Sequence, residues 1–474
     1  MEPITHLDEN ASRRDILRAV LAIALPSFLN MMLNSAFTII DSIMVGQLGA
    51  FAIAAVGLVK QPTLLLLLGV EGFTVAITRM IAREKGRNDQ AAANDVLRQS
   101  ILITLLYATV MAAVGCLFAP GIVSFMGANA DTQGPATVYF QTILGGFLFH
   151  ALGNNIGGAF TGAGDTKTIL YANIASNFVN IGCNWLLIYG NLGFPALGVT
   201  GAGIATALSK VAFFGILAVL LFRKKRYIFL TLRDRYSLSR ETVREYFSLG
   251  MPVVGHRAAT RFGMLLMVRL VAPLGTAAMA SYQMCFNIHN MGFWSADAIG
   301  KATISLTGQS VGAGKPKLAL RYIRCAIALG VGFTLLTGAV ILLFPAPLLR
   351  MFTPDETAIA AGLAPLVVIA LFQPFQAAGN VTTGGLTGFG DTKTSAKAIA
   401  FGIAVLRPIA AYVLTGVFDL GIVGIWIAIA ADEVFRFVCV TTARRKLEQA
   451  QSTPIKASPR GEAVEGRSTE TDEV

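Results

Sequence analysis

Twelve apolar runs, separated by short polar breaks, organise this chain. They fall at about 17–44, 52–81, 97–119, 137–160, 168–189, 199–222, 248–272, 279–308, 320–344, 358–384, 395–417 and 421–441. A helix needs about 20 mostly apolar residues to cross a hydrocarbon core, so each run predicts one membrane-spanning helix. Prolines and glycines interrupt several runs without ending them. The fold class expected is therefore all-α, a polytopic membrane protein of twelve spans.

Charge in the connections tests that count independently. One set of alternate connections, with the adjoining helix ends, carries Arg79, Arg83, Lys85 and Arg87, then Lys167, then Arg223 to Arg226, Arg233 and Arg235. The same set continues with Lys315, Lys317, Arg321 and Arg324, then Lys393 and Lys397, then Arg444 to Lys446. The other set holds only Arg350, with Lys60 nearby. Short loops rich in Lys and Arg stay cytoplasmic, so both termini are expected inside the cell, with the chain in the inner membrane. The boundaries expected are a cytoplasmic N-terminus (1–16), a first six-helix bundle (17–222), a basic amphipathic linker (223–247), a second bundle (248–446) and a disordered cytoplasmic tail (447–474). The first run is long and lacks a small-residue cleavage site, so it reads as a retained helix and not a signal peptide.

Composition agrees. Hydrophobic residues make up 54% of the 474 positions and charged residues 14%, against about 45–50% and 25% in soluble domains. The net charge of +11 is placed on one membrane face, which argues against a nucleic-acid partner. Five cysteines stand singly without CxxC or Cys/His spacing, so neither a disulfide framework nor a metal site is expected. With four histidines, no metal-ligand spacing and no Walker motif, the chain reads as neither an enzyme nor a primary pump, and no cofactor is expected.

The two halves repeat. Gly162-Ala-Gly-Asp165-Thr-Lys-Thr168 recurs as Gly388-Phe-Gly-Asp391-Thr-Lys-Thr394, 226 positions later. The same offset links Pro26 with Pro252, Gly49 with Gly275, Gly86 with Gly312 and Phe149 with Phe375. Six spans per half insert both halves in one orientation, which predicts a pseudo-twofold axis along the membrane normal and a cleft between two bundles. The Gly-x-Gly-Asp-Thr run makes a tight turn that caps the next helix; no strand–Gly-Lys-Ser/Thr element accompanies it, so it is not a phosphate loop.

Together with these repeats, Leu25-Pro26…Asp41-Ser-Ile-Met-Val-Gly46, Gly308-Gln309-Ser-Val-Gly312, Asn180-Ile-Gly-Cys-Asn184-Trp and Arg407-Pro408 resemble the multidrug and toxic compound extrusion family over about residues 15–445. The resemblance implies a cation-coupled antiporter that expels amphipathic, often cationic, small molecules against proton or sodium entry. It places the family's coupling aspartate at Asp41.

An intramembrane carboxylate is a functional candidate by default; the alternative is an Asp that reaches to the nearby outer surface. Asn180 and Asn184 lie four apart on one helix face and could present amide oxygens to Asp41 or a cation, or bond neighbouring helices. Part of the family has an aspartate where Asn184 stands, so proton coupling gains over sodium. Thr206 belongs to the same expected pocket. Glu71 joins the ion path or pairs with Lys60 or Arg79. One branch of the family has acids where this chain has Thr260 and Gln376, which leaves coupling to the first half. In the second half, Asp297–Lys301 and Asp432–Arg436 have the spacing of i,i+4 ion pairs. Arg257 and Arg261 read, with the other second-half charges, as members of internal salt bridges; alternatively they are unpaired and favour an anionic or zwitterionic substrate, and with Thr260 and Gln376 they make up the expected substrate cleft. A flippase for lipid-linked precursors is the competing reading of the same architecture. The expected partners are the lipid bilayer and a small-molecule substrate, and the expected assembly is a monomer.

Overall fold

The computed structural model describes residues 8–9, 11–223, 226–230 and 237–452, and no strand occurs among them. The first half comprises α1 (Arg13–Gly46), α2 (Ala50–Gly86), α3 (Gln90–Phe125), α4 (Ala130–Gly162), α5 (Thr166–Tyr189) and α6 (Gly198–Leu221). The second comprises α7 (Arg240–Val271), α8 (Thr276–Gly312), α9 (Pro316–Leu343), the short α10 (Pro345–Arg350), α11 (Glu356–Phe389), α12 (Lys393–Phe401), α13 (Arg407–Gly416) and α14 (Gly421–Ser452). With α12 and α13 joined by a π-turn over Gly402–Leu406, and α10 too short to span, these make twelve crossing rods.

Seven of the twelve are long and apolar enough to cross a membrane on length and composition alone. The other five, α4, α5, α7, α8 and α14, carry polar side chains along their length. Many of those side chains, Asn155, Asn184, His289 and Asp432 among them, are buried in protein, while leucines such as Leu106, Leu117, Leu336 and Leu343 point outward, toward lipid.

Several boundaries move from expectation. The first helix starts at Arg13 because Ser12 caps it, accepting from the Asp15 backbone N–H at 3.2 Å. The seventh starts inside the expected linker, where Ser239 accepts from the Thr242 N–H at 3.1 Å and buried Tyr246 anchors the new turns. The last helix runs through Ser452, past the tail boundary expected at Leu447, with Arg444 and Glu448 paired along it at 3.8 Å. Residues 224–225, 231–236 and 453–474 of the expected linker and tail lie outside the described residues.

The 226-residue repeat becomes a symmetric contact. Gly86 at the end of α2 lies against the Gln309 backbone of α8, and Gly312 at the end of α8 lies against the Arg83 backbone of α2, with no room for a Cβ at either glycine. Each contact is the other's counterpart in the repeat, as a twofold axis between the halves requires. Gly49 and Gly275, opening α2 and α8, share one backbone conformation at φ 103° and 97°.

The first helix of each half also crosses to the other. Ile16, Val20 and Ile23 of α1 pack with Ile299, Leu306 and Tyr322 of the second half. Tyr246 and Leu249 of α7 pack with Ile77, Leu97 and Phe160 of the first. These exchanges lie toward the end of the bundle where α1 begins and α14 ends, the basic end. The polar cross-half contacts gather there too. Glu245 of α7 takes Arg79 at 2.6 Å and Arg83 at 2.5 Å from α2, and Gln309 of α8 donates to the Gly162 carbonyl at 2.8 Å.

Candidate functional site

A cavity of about 420 Å³ opens within the first half, walled by α1, α2, α4, α5 and α6, with Lys301 and Ile304 of α8 at its edge. Its floor at the basic end is the repeated turn. Asp165 caps α5 by accepting from the Thr168 N–H at 3.2 Å, and Asp391 accepts from the Thr394 N–H at 3.0 Å in the second half. Thr166 next to the turn donates to the Ile23 carbonyl of α1 at 3.1 Å, and Arg226 bonds both Asp165 and Thr168. The motif thus acts as a helix cap and a plug, in keeping with its structural reading.

Asp41 sits one helical turn beyond the cavity-lining Thr38, toward the opposite end of α1. It is half-buried, and its Oδ1 accepts from Asn184 Nδ2 at 2.6 Å. The second bond of that amide nitrogen goes to Asn180 Oδ1 at 3.3 Å. A short charge-assisted bond of this kind fixes the relative position of two helices. Asn184 Oδ1 is buried with no hydrogen-bond partner, so an acceptor stands unused beside the carboxylate. These atoms bring together three of the expected coupling residues. Thr206 is not among them: it is half-buried on α6, where its carbonyl accepts from Ser209 at 2.7 Å.

Glu71 is not paired with Lys60 or Arg79 as the sequence suggested. It meets Arg257 of α7 across the two halves at 3.0 Å, because α2 packs on α7 along this stretch. Arg257 thus forms an internal salt bridge, the first of its two readings, and is not the unpaired cation of the alternative. The adjacent Asp297 lies within electrostatic reach of Arg257 and holds Lys301 at 3.0 Å, so four charges balance near mid-membrane. Arg261 is half-buried and makes no ion pair among the described residues. The Thr260 hydroxyl donates to the His256 carbonyl at 2.8 Å, one turn back on its own helix.

Gln376 faces the interior of the second bundle instead of an open cleft. Its Nε2 reaches Glu433 at 2.9 Å and the His289 ring at 2.8 Å. Beside it, Asp432 is fully buried and takes Arg407 at 2.6 Å and Arg436 at 3.0 Å. The Asp432–Arg436 and Asp297–Lys301 pairs form as their spacing suggested. The second half therefore holds its own packed ionic core, in which His289 had no sequence signal.

Lys210, another residue missing from the sequence reading, lies on α6 and lines the first-half cavity together with His150. It is within electrostatic reach of Asp41 and His150. A single cation in the middle of a span with mean hydropathy 2.2 was the available signal.

Comparison with known proteins agrees with this architecture. The MatE family model matches residues 26–186 and 252–413, one match per half. A probable multidrug resistance protein NorM of Thermotoga maritima is 28% identical over 427 residues, covering 89% of this chain and 90% of that protein. Multidrug resistance protein PmpM of Pseudomonas aeruginosa is 26% identical over 396 residues, covering 83% of each. Among solved structures, a MATE in complex with MaD3S shares the fold with a TM-score of 0.87 at 24% identity, over 96% of this chain and all of that one. With both halves matched and both bundles superposable, the chain belongs to the MatE family of multi-pass membrane transporters.

Proposed function

We propose that this protein is a cation-coupled antiporter of the inner membrane that exports small amphipathic organic compounds by alternating access, with a proton as the coupling ion and both termini in the cytoplasm. The Lys/Arg bias of the basic end supports that orientation. The names of its NorM and PmpM relatives support drugs and similar compounds as substrates. The two halves are joined at the basic end by Glu245, Gln309 and the paired Gly86 and Gly312, the arrangement of a transporter closed on that side.

The observation that carries the reading is the Asp41–Asn184 bond of 2.6 Å. A carboxylate can only accept from the amide, whereas a protonated carboxyl must also donate. Proton binding at Asp41 then calls for the Asn184 amide to turn and offer its unused Oδ1. That exchange of donor and acceptor resets the grip between α1 and α5, and α1 packs on both halves. One carboxylate with two amides is a sparse ligand set for sodium, which supports the proton. Each proton entering through 100 mV supplies about 2.3 kcal/mol, worth about a fiftyfold substrate gradient.

The test is efflux of a fluorescent drug from proteoliposomes under an imposed pH gradient and, separately, a sodium gradient. Transport driven by the pH gradient and lost in Asp41→Asn supports the reading. Efflux that survives Asp41→Asn, or that only sodium drives, removes it. Movement of a lipid-linked sugar indifferent to both gradients would select the flippase reading instead.

A further inference from the structure

The first-half cavity has an unusual charge balance. Its lining includes five asparagines (Asn30, Asn34, Asn154, Asn173 and Asn177) and no Asp or Glu. Of its two lysines, Lys301 is neutralised by Asp297 at 3.0 Å. Lys210 makes no hydrogen bond or ion pair among the described residues. Phe213 and His150 are the only rings in the wall, whereas pockets for apolar drugs are lined mainly by hydrophobic and aromatic groups.

We propose that this cavity takes an organic anion rich in hydroxyl or carbonyl groups, with the Lys210 ammonium as its charge partner and the asparagines as its hydrogen-bonding wall. The inference rests on the reading of the chain as an exporter of small organic compounds, and it moves their class from amphipathic compounds to hydrophilic anions. An ionisable side chain inside a span pairs with another charge or faces a cavity on a substrate pathway; Lys210 faces this cavity, and its lining holds no carboxylate. Asp41 attracts Lys210 but lies beyond the lining and is engaged by Asn184. Each asparagine amide offers two donors and an acceptor with two lone pairs, a match for a polyhydroxylated skeleton. Some of this capacity is already ordered: Asn177 donates to Asn34 at 3.1 Å, and Asn154 to the His150 carbonyl at 2.8 Å. A volume of about 420 Å³ falls within the range of small-molecule sites, about 300–1,000 Å³. An organic cation entering here would meet Lys210 with no opposing charge in the wall.

Three hexoses with one ring and three charges test this directly: glucuronate, glucose and glucosamine at pH 6.5, each titrated calorimetrically into the full-length protein in nanodiscs without any gradient. Glucuronate is expected to bind at least tenfold more tightly than glucosamine, with glucose between them. Lys210→Gln should abolish the anion's advantage, and Lys210→Arg should keep it, which also shows that the site tolerates substitution. The proposal is overturned if glucosamine equals or exceeds glucuronate in the wild type, if none of the three binds, or if Lys210→Gln leaves the order unchanged. Because no ion gradient is present, charge preference can fail while Asp41-dependent efflux stands, and the reverse.

Discussion

In the proposed proton coupling, the variable that decides at Asp41 is the hydrogen-bonding sense of one amide. Hydrogen bonds to charged groups contribute about 1.5–3 kcal/mol. If the Asn184 bond is used in one state of the cycle and remade in another, Asn184→Leu should slow pH-driven efflux by roughly ten- to hundredfold, read as initial rates in proteoliposomes. Asn184→Asp supplies a second carboxylate beside Asp41 and Asn180. Oxygen-rich sites with more anionic ligands hold hard cations more tightly, so that variant should gain efflux driven by a sodium gradient. Asn184 and Asn180 could be placed on one helix face from their spacing. Their meeting with Asp41, 143 positions from Asn184, depended on α1 packing on α5.

Among the helices, the broken span α12–α13 shows what an ionic core does to a membrane segment. The π-turn at Gly402–Leu406 precedes Arg407, which is buried against Asp432 of α14 at 2.6 Å. Removing one partner of a buried pair leaves an uncompensated charge, at a cost of about 3–5 kcal/mol. Asp432→Asn should therefore lower the thermal midpoint of the solubilised protein sharply. Arg407→Met combined with Asp432→Asn should recover part of the loss, leaving only Arg436 without its partner. Intrinsic tryptophan fluorescence, to which Trp426 buried in the same bundle contributes, can follow both. Spacing alone identified Asp432–Arg436, an i,i+4 neighbour. It could not identify Arg407 as the shorter contact, because that needs the broken span folded beside α14.

For the whole molecule, the proposed alternating access requires the basic end to open. The bonds from Arg79 and Arg83 to Glu245 join α2 to α7, and they are contacts that must break. Glu245→Gln weakens them by about 1.5–3 kcal/mol and shifts the population toward opening at the basic end. A cysteine at Thr161, in a variant without the native cysteines, should then react several-fold faster with a membrane-impermeant thiol reagent applied from the basic side. Unchanged labelling would mean that these ion pairs are not the latch. Because Gly86 and Gly312 are counterparts in the repeat, Gly86→Ala and Gly312→Ala should each prise α2 from α8 and raise the same labelling to a similar degree.

Apolar run length, the fixed offset of the repeat and single acids or amides inside long runs could all be read locally. They were enough for twelve spans, two similar halves and the separate candidacies of Asp41, Asn180 and Asn184, though not for their meeting. Partnership was another matter. Glu71 has Lys60 and Arg79 far closer in sequence than Arg257, yet Arg257 is the one it meets, because the first helix of each half packs on the other half. Lys210 gained meaning only when its cavity wall proved to lack an acid. Hydropathy is a property of each residue and its neighbours in sequence, so the chain itself carries it. Charge neutralisation can relate side chains far apart in sequence, as it does Glu71 and Arg257, and only the packed bundle decides which of them meet.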